Sequence, residues 1–182
     1  MKRNSFILAA VAAFAAVACG PKVSDKTTLE GSFGEGAPES VNIKIQEMDI
    51  DTTVAVTDGK FAVELPANKA IFAVLTADGV RARFIPDGTP LTFSVNEEGA
   101  GEITSKTPAV SVQEKYKAYV DTMIKLEKDA RAKLEALGDA AADSARSEII
   151  NAYDAAVSEC DKKAFEENKD NALGASVFGN LQ

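Results

Sequence analysis

At Pro108 the spacing of apolar residues changes, and this change constrains the fold more than any other feature of the chain. Before it, apolar residues recur at every second position. After it, they recur every three or four. A period of two places side chains on alternate faces of a strand, and a period near 3.6 places them on one stripe of a helix. The two patterns follow one another and are not interleaved. That order predicts an α+β protein. An antiparallel β-sandwich or barrel-like sheet is expected over residues 28–107. A long antiparallel helical hairpin, with the start of a further element, is expected over 108–182.

In the first half, Thr28 to Phe33 reads as a short strand. Val41, Ile43 and Ile45 alternate with Asn42, Lys44 and Gln46, the pattern of a half-buried strand. Glu47 to Thr52 reads as a loop. Thr53 to Thr57 and Lys60 to Leu65 flank Asp58-Gly59, which predicts a hairpin because a type I′ turn needs positive φ twice. Pro66 stops that strand. Ala70 to Thr76 is apolar on both faces, as a central covered strand would be. Asp78-Gly79 turns it into Val80 to Ile85, and Asp87-Gly88 makes another turn. Leu91, Phe93 and Val95 alternate with polar residues. Glu97 to Gly101 reads as a loop and Glu102 to Ser105 as a last short strand. Short strands at this spacing suit a sandwich or barrel.

In the second half, Ser111-Val-Gln-Glu114 is a capping-box pattern. Ser111 is expected to accept from the Glu114 amide while Glu114 reaches back. Tyr116, Tyr119, Met123, Leu126, Ala130 and Leu137 form one stripe, Gly138-Asp139 breaks it, and Ile149, Ile150, Tyr153, Val157, Cys160 and Ala164 form a second. Two stripes split by a tight turn predict the hairpin. Asn168 to Asn171 reads as a polar turn. Ala172 to Gln182 begins an apolar element too short to pack well on its own.

The front of the chain sets its address. Lys2 and Arg3 precede an unbroken apolar run from Phe6 to Ala18, which ends in Ala16-Val17-Ala18-Cys19-Gly20. The run is shorter than the roughly twenty residues a bilayer span needs. A basic start, an apolar stretch and small residues before a cut mark a secretory signal, and a cysteine at the cut makes it resemble a bacterial lipoprotein signal. That resemblance implies a signal peptide over 1–18, cleavage before Cys19, lipid on the Cys19 thiol and a tether over 19–27. Ala16 stands where such signals prefer a larger aliphatic residue. The competing readings are an ordinary secretory signal cut near Ala18 and an uncleaved anchor. No acidic cluster follows Cys19, so the expected place is the cell envelope, at the outer membrane facing the periplasm. Cell-surface display is the alternative.

Charge and missing residue types exclude several functions. The net charge is −8, and removing Lys2 and Arg3 takes it two units further. Such a chain repels phosphate backbones, so nucleic acid is not an expected partner. There is no His and no Trp. Without His, Ser-His-Asp and Cys-His catalysis are excluded, and the commonest zinc ligand is missing. With Cys19 lipidated, only Cys160 remains and no internal disulfide can form.

Three stretches carry a further likeness. They are Asp51 to Leu65 around Asp58-Gly59-Lys60-Phe61, then Ala70 to Ile85 leading into Asp87-Gly88-Thr89-Pro90-Leu91-Thr92, and the charged helical segment ending in Phe165-Glu-Glu-Asn-Lys-Asp-Asn171. Together they resemble a bacterial lipoprotein domain of unknown function that commonly precedes a thioredoxin-like domain in AhpC/TSA-type and TlpA/ResA-type thiol-disulfide interchange proteins. The resemblance implies a non-catalytic accessory or interaction module. Its partner would be another protein or a thioredoxin-like domain further along the gene. The chain departs from those proteins in having no Trp and no C-x-x-C, so oxidoreductase chemistry is carried over to no residue. The alternative function is a small-molecule or glycan-binding lipoprotein.

Few side chains stand out as sites. Arg81 and Arg83 share one face of a strand and are candidate ligand contacts, able to clamp a carboxylate or phosphate. The competing reading gives them cross-strand acidic partners. Cys160 lies on a helical stripe, where free cysteine usually behaves as a small core residue. Neighbouring Glu159 and Asp161 would raise its pKa. Asp49, Asp51, Glu97 and Glu98 read as solvated loop carboxylates without calcium-loop spacing. Tyr116, Tyr119 and Tyr153 read as packing residues of the helices. No catalytic residue, metal ligand or cofactor is expected.

Overall fold

The computed structural model describes residues 23–138 and 142–181. The expected signal peptide and Cys19 lie outside the described residues.

Among the described residues, eight strands and three α-helices make a mixed α+β fold. The strands are β1 (Lys26–Ser32), β2 (Ser40–Ile45), β3 (Ile50–Ala55), β4 (Lys60–Pro66), β5 (Ala73–Ala77), β6 (Val80–Phe84), β7 (Leu91–Val95) and β8 (Gly101–Ser105). They form two four-stranded sheets, ordered β4-β1-β7-β8 and β3-β2-β5-β6. All pairings are antiparallel except one. β1 runs parallel to β7, with Leu29 opposite Leu91 and Gly31 opposite Phe93. This corrects the all-antiparallel expectation: the chain builds the whole second sheet between these two strands and returns in its original direction.

Alternation along the strands supplies a single core. Leu29, Phe61, Leu91, Phe93 and Ile103 of the first sheet join Val41, Ile43, Ile45, Leu75 and Phe84 of the second. Phe93 lies against Phe33 and Phe61, with ring centroids 5.2 and 5.9 Å away. The polar partners of the alternation, such as Lys44, Glu64, Arg81 and Arg83, face outward.

The Asp58-Gly59 turn forms as the sequence predicts, with φ of 51° and 72°. Thr57 and Lys60 exchange both backbone hydrogen bonds, at 2.8 and 3.0 Å. The hairpin then stops. β3 pairs with β2, and β4 pairs with β1 along its whole length, from Lys60 opposite Ser32 to Pro66 opposite Lys26. That complete ladder outweighs a continued hairpin, so the two strands diverge into different sheets.

Three local readings change. The expected loop Glu47–Thr52 is a 3₁₀ turn, Gln46–Met48, closed by Asp49 at φ 54°, and β3 already begins at Ile50. β5 begins at Ala73, not Ala70. It is central, but its outer face keeps Val74 half-buried and Thr76 exposed. The run looked apolar on both faces because Phe72, ahead of the strand, leaves the sheet to pack edge-on against Tyr116 at 5.1 Å.

The helices are α1 (Val112–Leu137), α2 (Asp143–Glu167) and α3 (Ala172–Phe178). Tyr119 and Thr122 share a groove with Cys160 and Lys163. Further along, Leu126 and Ala130 share one with Ile149, Tyr153 and Ala156. Ile150, placed on the stripe by its spacing, is 48% exposed. Ile149 and Ile150 nevertheless line one groove with Ala130, Leu134 and Tyr153. The C-terminal element packs better than expected. Asn171 caps α3 by accepting from the Leu173 amide at 3.0 Å, and Ala172, Leu173 and Val177 are buried beside Ile85 and Ala164.

Candidate functional site

The turn at Asp87-Gly88 positions everything that follows. One oxygen of Asp87 accepts from the amide and hydroxyl of Thr89, at 3.0 and 2.6 Å. The other accepts from the Ser111 hydroxyl at 2.8 Å and the Gln113 amide at 2.9 Å. Gln113 in turn accepts from the Ile85 amide and donates to the Ile103 carbonyl. All these side chains are buried. A buried polar group is tolerable only when its hydrogen bonds are satisfied, and here they are. The carboxyl also meets the first turn of α1, whose unpaired N–H groups and dipole favour an acidic partner. Gly88 sits at φ 85°, and a Cβ there would lie 2.2 Å from the Ser24 carbonyl oxygen. The capping box is half formed. Ser111 accepts from the Glu114 amide at 3.3 Å, but the Glu114 carboxyl turns to the Ser105 amide. Sequence spacing showed the turn and the cap separately. Nothing in it showed that they meet.

This junction holds α1 beside β6 and β8 and leaves a cleft of about 260 Å³, lined by Arg81, Arg83, Tyr116, Lys117, Val120 and Ile124 among others. The Arg83 guanidinium stacks on the Phe72 ring, 3.5 Å from its centroid. Opposite Arg81 and Arg83 on β5 stand Thr76 and Val74. The expected cross-strand acidic partners are not there. Among the described residues, neither guanidinium is in ion-pair contact with a carboxylate. Lys117, across the cleft, binds Asp121 at 2.7 Å and Glu102 at 2.8 Å. Hydrogen bonds to Asp121 and then Glu102 hold its pKa above the usual lysine value.

A second groove, of about 470 Å³, runs between α1 and α2 past Cys160. Burial first, then the neighbouring Asp161, pushes the Cys160 thiol up, with Lys163 opposing. A thiol shifted this way is a poor nucleophile. Asp161 is buried. It accepts from the Tyr119 hydroxyl at 2.6 Å and from Asn180 at 3.1 Å. Burial, then that bond to Asp161, raises the Tyr119 pKa. Tyr116 packs on Phe72, and Tyr153 lies in the seam between the helices.

The remaining candidates do not converge. Asp51 lies on β3 and accepts from Asn42 at 2.8 Å, and Asp49 closes the 3₁₀ turn. Glu97 and Glu98 sit in a turn organised by Asn96, which accepts from the Glu98 and Ala100 amides. Among the described residues, no group of three or more His, Cys, Asp or Glu side chains is arranged to hold a metal ion.

No family model matches the chain, and no curated protein matches it. Among solved structures it is similar to an NMR structure of a protein from Eubacterium rectale. The identity is 8% and the TM-score 0.30, over 51% of this chain and 100% of that one. A TM-score that low does not define a shared fold.

Proposed function

We propose that this chain is a membrane-anchored, non-catalytic envelope lipoprotein, an accessory or interaction module resembling the N-terminal region of thiol-disulfide interchange proteins. Lipid on Cys19 holds it at the outer membrane, facing the periplasm. The two sheets act as a β-sandwich, and α1 with α2 acts as an antiparallel helical hairpin that spaces and presents a surface. The partner is another protein or a thioredoxin-like domain.

One observation carries this reading. The helical pair is fastened to the sheets by the buried Asp87 junction, yet it displays apolar side chains. Ile124 is 45% exposed and Ile150 48%. The two side chains stand in different clefts, Ile124 beside β6 and Ile150 beside Leu134, so the docking role is supported by the helical pair's open, half-covered length and not by a single apolar patch. The raised Cys160 thiol also disfavours thiol exchange at this chain's own cysteine.

The anchor is tested by Cys19→Ala. Mass spectrometry should show the acyl mass gone, and fractionation should show release from membranes. An unchanged membrane fraction overturns the lipid assignment. The module reading is tested by incubating the purified chain with a disulfide substrate and a thiol reductant. No turnover is expected, and turnover by this chain alone would sink it. Sequencing the gene past codon 182 shows whether W-C-x-x-C follows in frame.

The alternative, a small-molecule or glycan-binding lipoprotein, gains from the arginine cleft. Its glycan form loses from the aromatics, because Phe61 and Phe93 are buried in the core rather than displayed on a sheet face.

A further inference from the structure

We infer that the cleft between β6 and α1 binds a small monocarboxylate with an apolar body. The carboxylate would lie against Arg81 and Arg83, and the body against Tyr116, Val120 and Ile124. This goes beyond the interaction-module reading and does not depend on it.

Four observations converge. First, the two arginines flank buried Ala82 on β6, so they leave the same face roughly 6.6 Å apart, at about 3.3 Å per residue. Second, neither is in ion-pair contact with a carboxylate among the described residues, in a chain where acids outnumber bases. Third, Arg83 is already positioned. Its flat face is stacked on Phe72, and Phe72 is held edge-on by Tyr116. Stacking occupies the π face and leaves the in-plane N–H donors open, the geometry that grips a carboxylate with two bonds. Less ordering is then lost on binding. Fourth, α1 supplies an apolar wall at the same place, and Ile124 there is 45% exposed.

The charge balance selects the ligand. Lys117 is already committed to Glu102 and Asp121, and those two carboxylates remain in the cleft. With three cations and two anions around it, the site accommodates one negative charge and repels a second. A monocarboxylate fits that balance better than a phosphate dianion. The volume, about 260 Å³, falls just below the usual range for ligand pockets, roughly 300 Å³ upward, so the body is small.

The test is an NMR titration of the ¹⁵N-labelled chain with 3-phenylpropionate, its neutral amide and phenyl phosphate. Saturable shifts are expected at residues 81, 83, 116, 120 and 124. The amide should bind at least about ten-fold more weakly, since a charge-assisted pair is lost. Arg81→Gln/Arg83→Gln should weaken the carboxylate about ten-fold or more. Both side chains are exposed, so an unchanged amide spectrum elsewhere will show the fold intact. Arg83→Lys keeps the charge, loses the fork and should bind in between. No saturation by about 10 mM, a range that would already detect millimolar affinity, overturns the proposal. So does equal binding of amide and acid, or binding by the double variant at wild-type strength. Tighter binding of phenyl phosphate overturns the monocarboxylate assignment.

Discussion

The two sheets and the long helical pair are built to different standards. Between the sheets, side chains such as Leu29, Ile43, Leu75, Phe84 and Phe93 are wholly buried. Along the helical pair, no residue from Glu114 to Leu137, and none from Asp143 to Cys160, is fully buried. The sheets close over their apolar faces. The helices bring one half-covered stripe each to the grooves they share. A helix of this length with so narrow a buried face draws its stability from what it is fastened to. In this chain the fastening is at one end, where Asp87, Ser111 and Gln113 meet and where α3 closes over Ile85.

The largest test contrasts the two interiors. Phe93→Ala should cost about 3–5 kcal/mol, the range for an aromatic deleted from a closed core. Leu126→Ala, in the half-open seam, should cost about 1–2 kcal/mol, because less area is lost and water fills the gap. Both are read from urea unfolding at equal m-value. Equal costs would mean that the helical pair has a core of its own, and the contrast would fail.

Next in size is the junction. Asp87→Ala strands the Gln113 amide and the Thr89 and Ser111 hydroxyls without their acceptor, a loss of about 2–4 kcal/mol. Hydrogen exchange should accelerate first in the opening turns of α1, while β2 and β5 stay protected. Uniform acceleration across both regions would show that the helices and sheets unfold as one unit.

The difference between the regions also explains what the sequence made legible. Period-two alternation showed the strands well, because one closed core imposes one rule on every strand. Asp58-Gly59 announced its turn correctly. It could not announce that β3 and β4 part company, since that depends on a ladder between Lys26–Ser32 and Lys60–Pro66 far apart in sequence. The parallel β1–β7 contact was hidden for the same reason. On the helices the stripe was readable, but a seam with little burial leaves even a stripe residue such as Ile150 48% exposed. Of the site, Arg81 and Arg83 were visible as a pair. Their lack of cross-strand acids, the Phe72 stack and the buried role of Asp87 all come from tertiary neighbours.

Inside the helical region, the Tyr119 hydroxyl donates to buried Asp161 at 2.6 Å. Tyr119→Phe leaves one oxygen of buried Asp161 with no donor from α1 and should cost about 1–2 kcal/mol. Burial of Tyr119, and then the same bond, predict a pH limb. The Tyr119 pKa is raised in the folded chain, above an ordinary value of 10.0. The stability it contributes is therefore whole below about pH 10 and is lost as pH rises through the folded value. Cys160, raised from 9.0, acts in the same direction from lower pH. Wild type should lose stability in alkali, and the Tyr119→Phe chain should lose less. Parallel alkaline curves for the two chains would show that this tyrosine is not the titrating group.

The smallest effect is expected where the two regions touch on the surface. Lys69, ahead of β5, pairs with Asp170, ahead of α3. The bond from Lys69, then its charge, holds the Asp170 carboxyl below its ordinary 3.8. Its contribution is present above that value and is lost as pH falls through the folded pKa. Both side chains are exposed, so water and salt screen them. Close by, the Ala172 amide donates to the Lys69 carbonyl at 2.8 Å, a backbone bond that no side-chain substitution removes. If that bond and the α3 core do the joining, Lys69→Ala should leave the urea midpoint at pH 7 nearly unchanged. The acid limb should shift slightly, and the shift should vanish in molar salt. A midpoint loss as large as that of Tyr119→Phe would instead make the ion pair a true fastening. The helices would then be held to the sheets at two places, the buried hydrogen bonds of Asp87 and the exposed pair of Lys69 with Asp170.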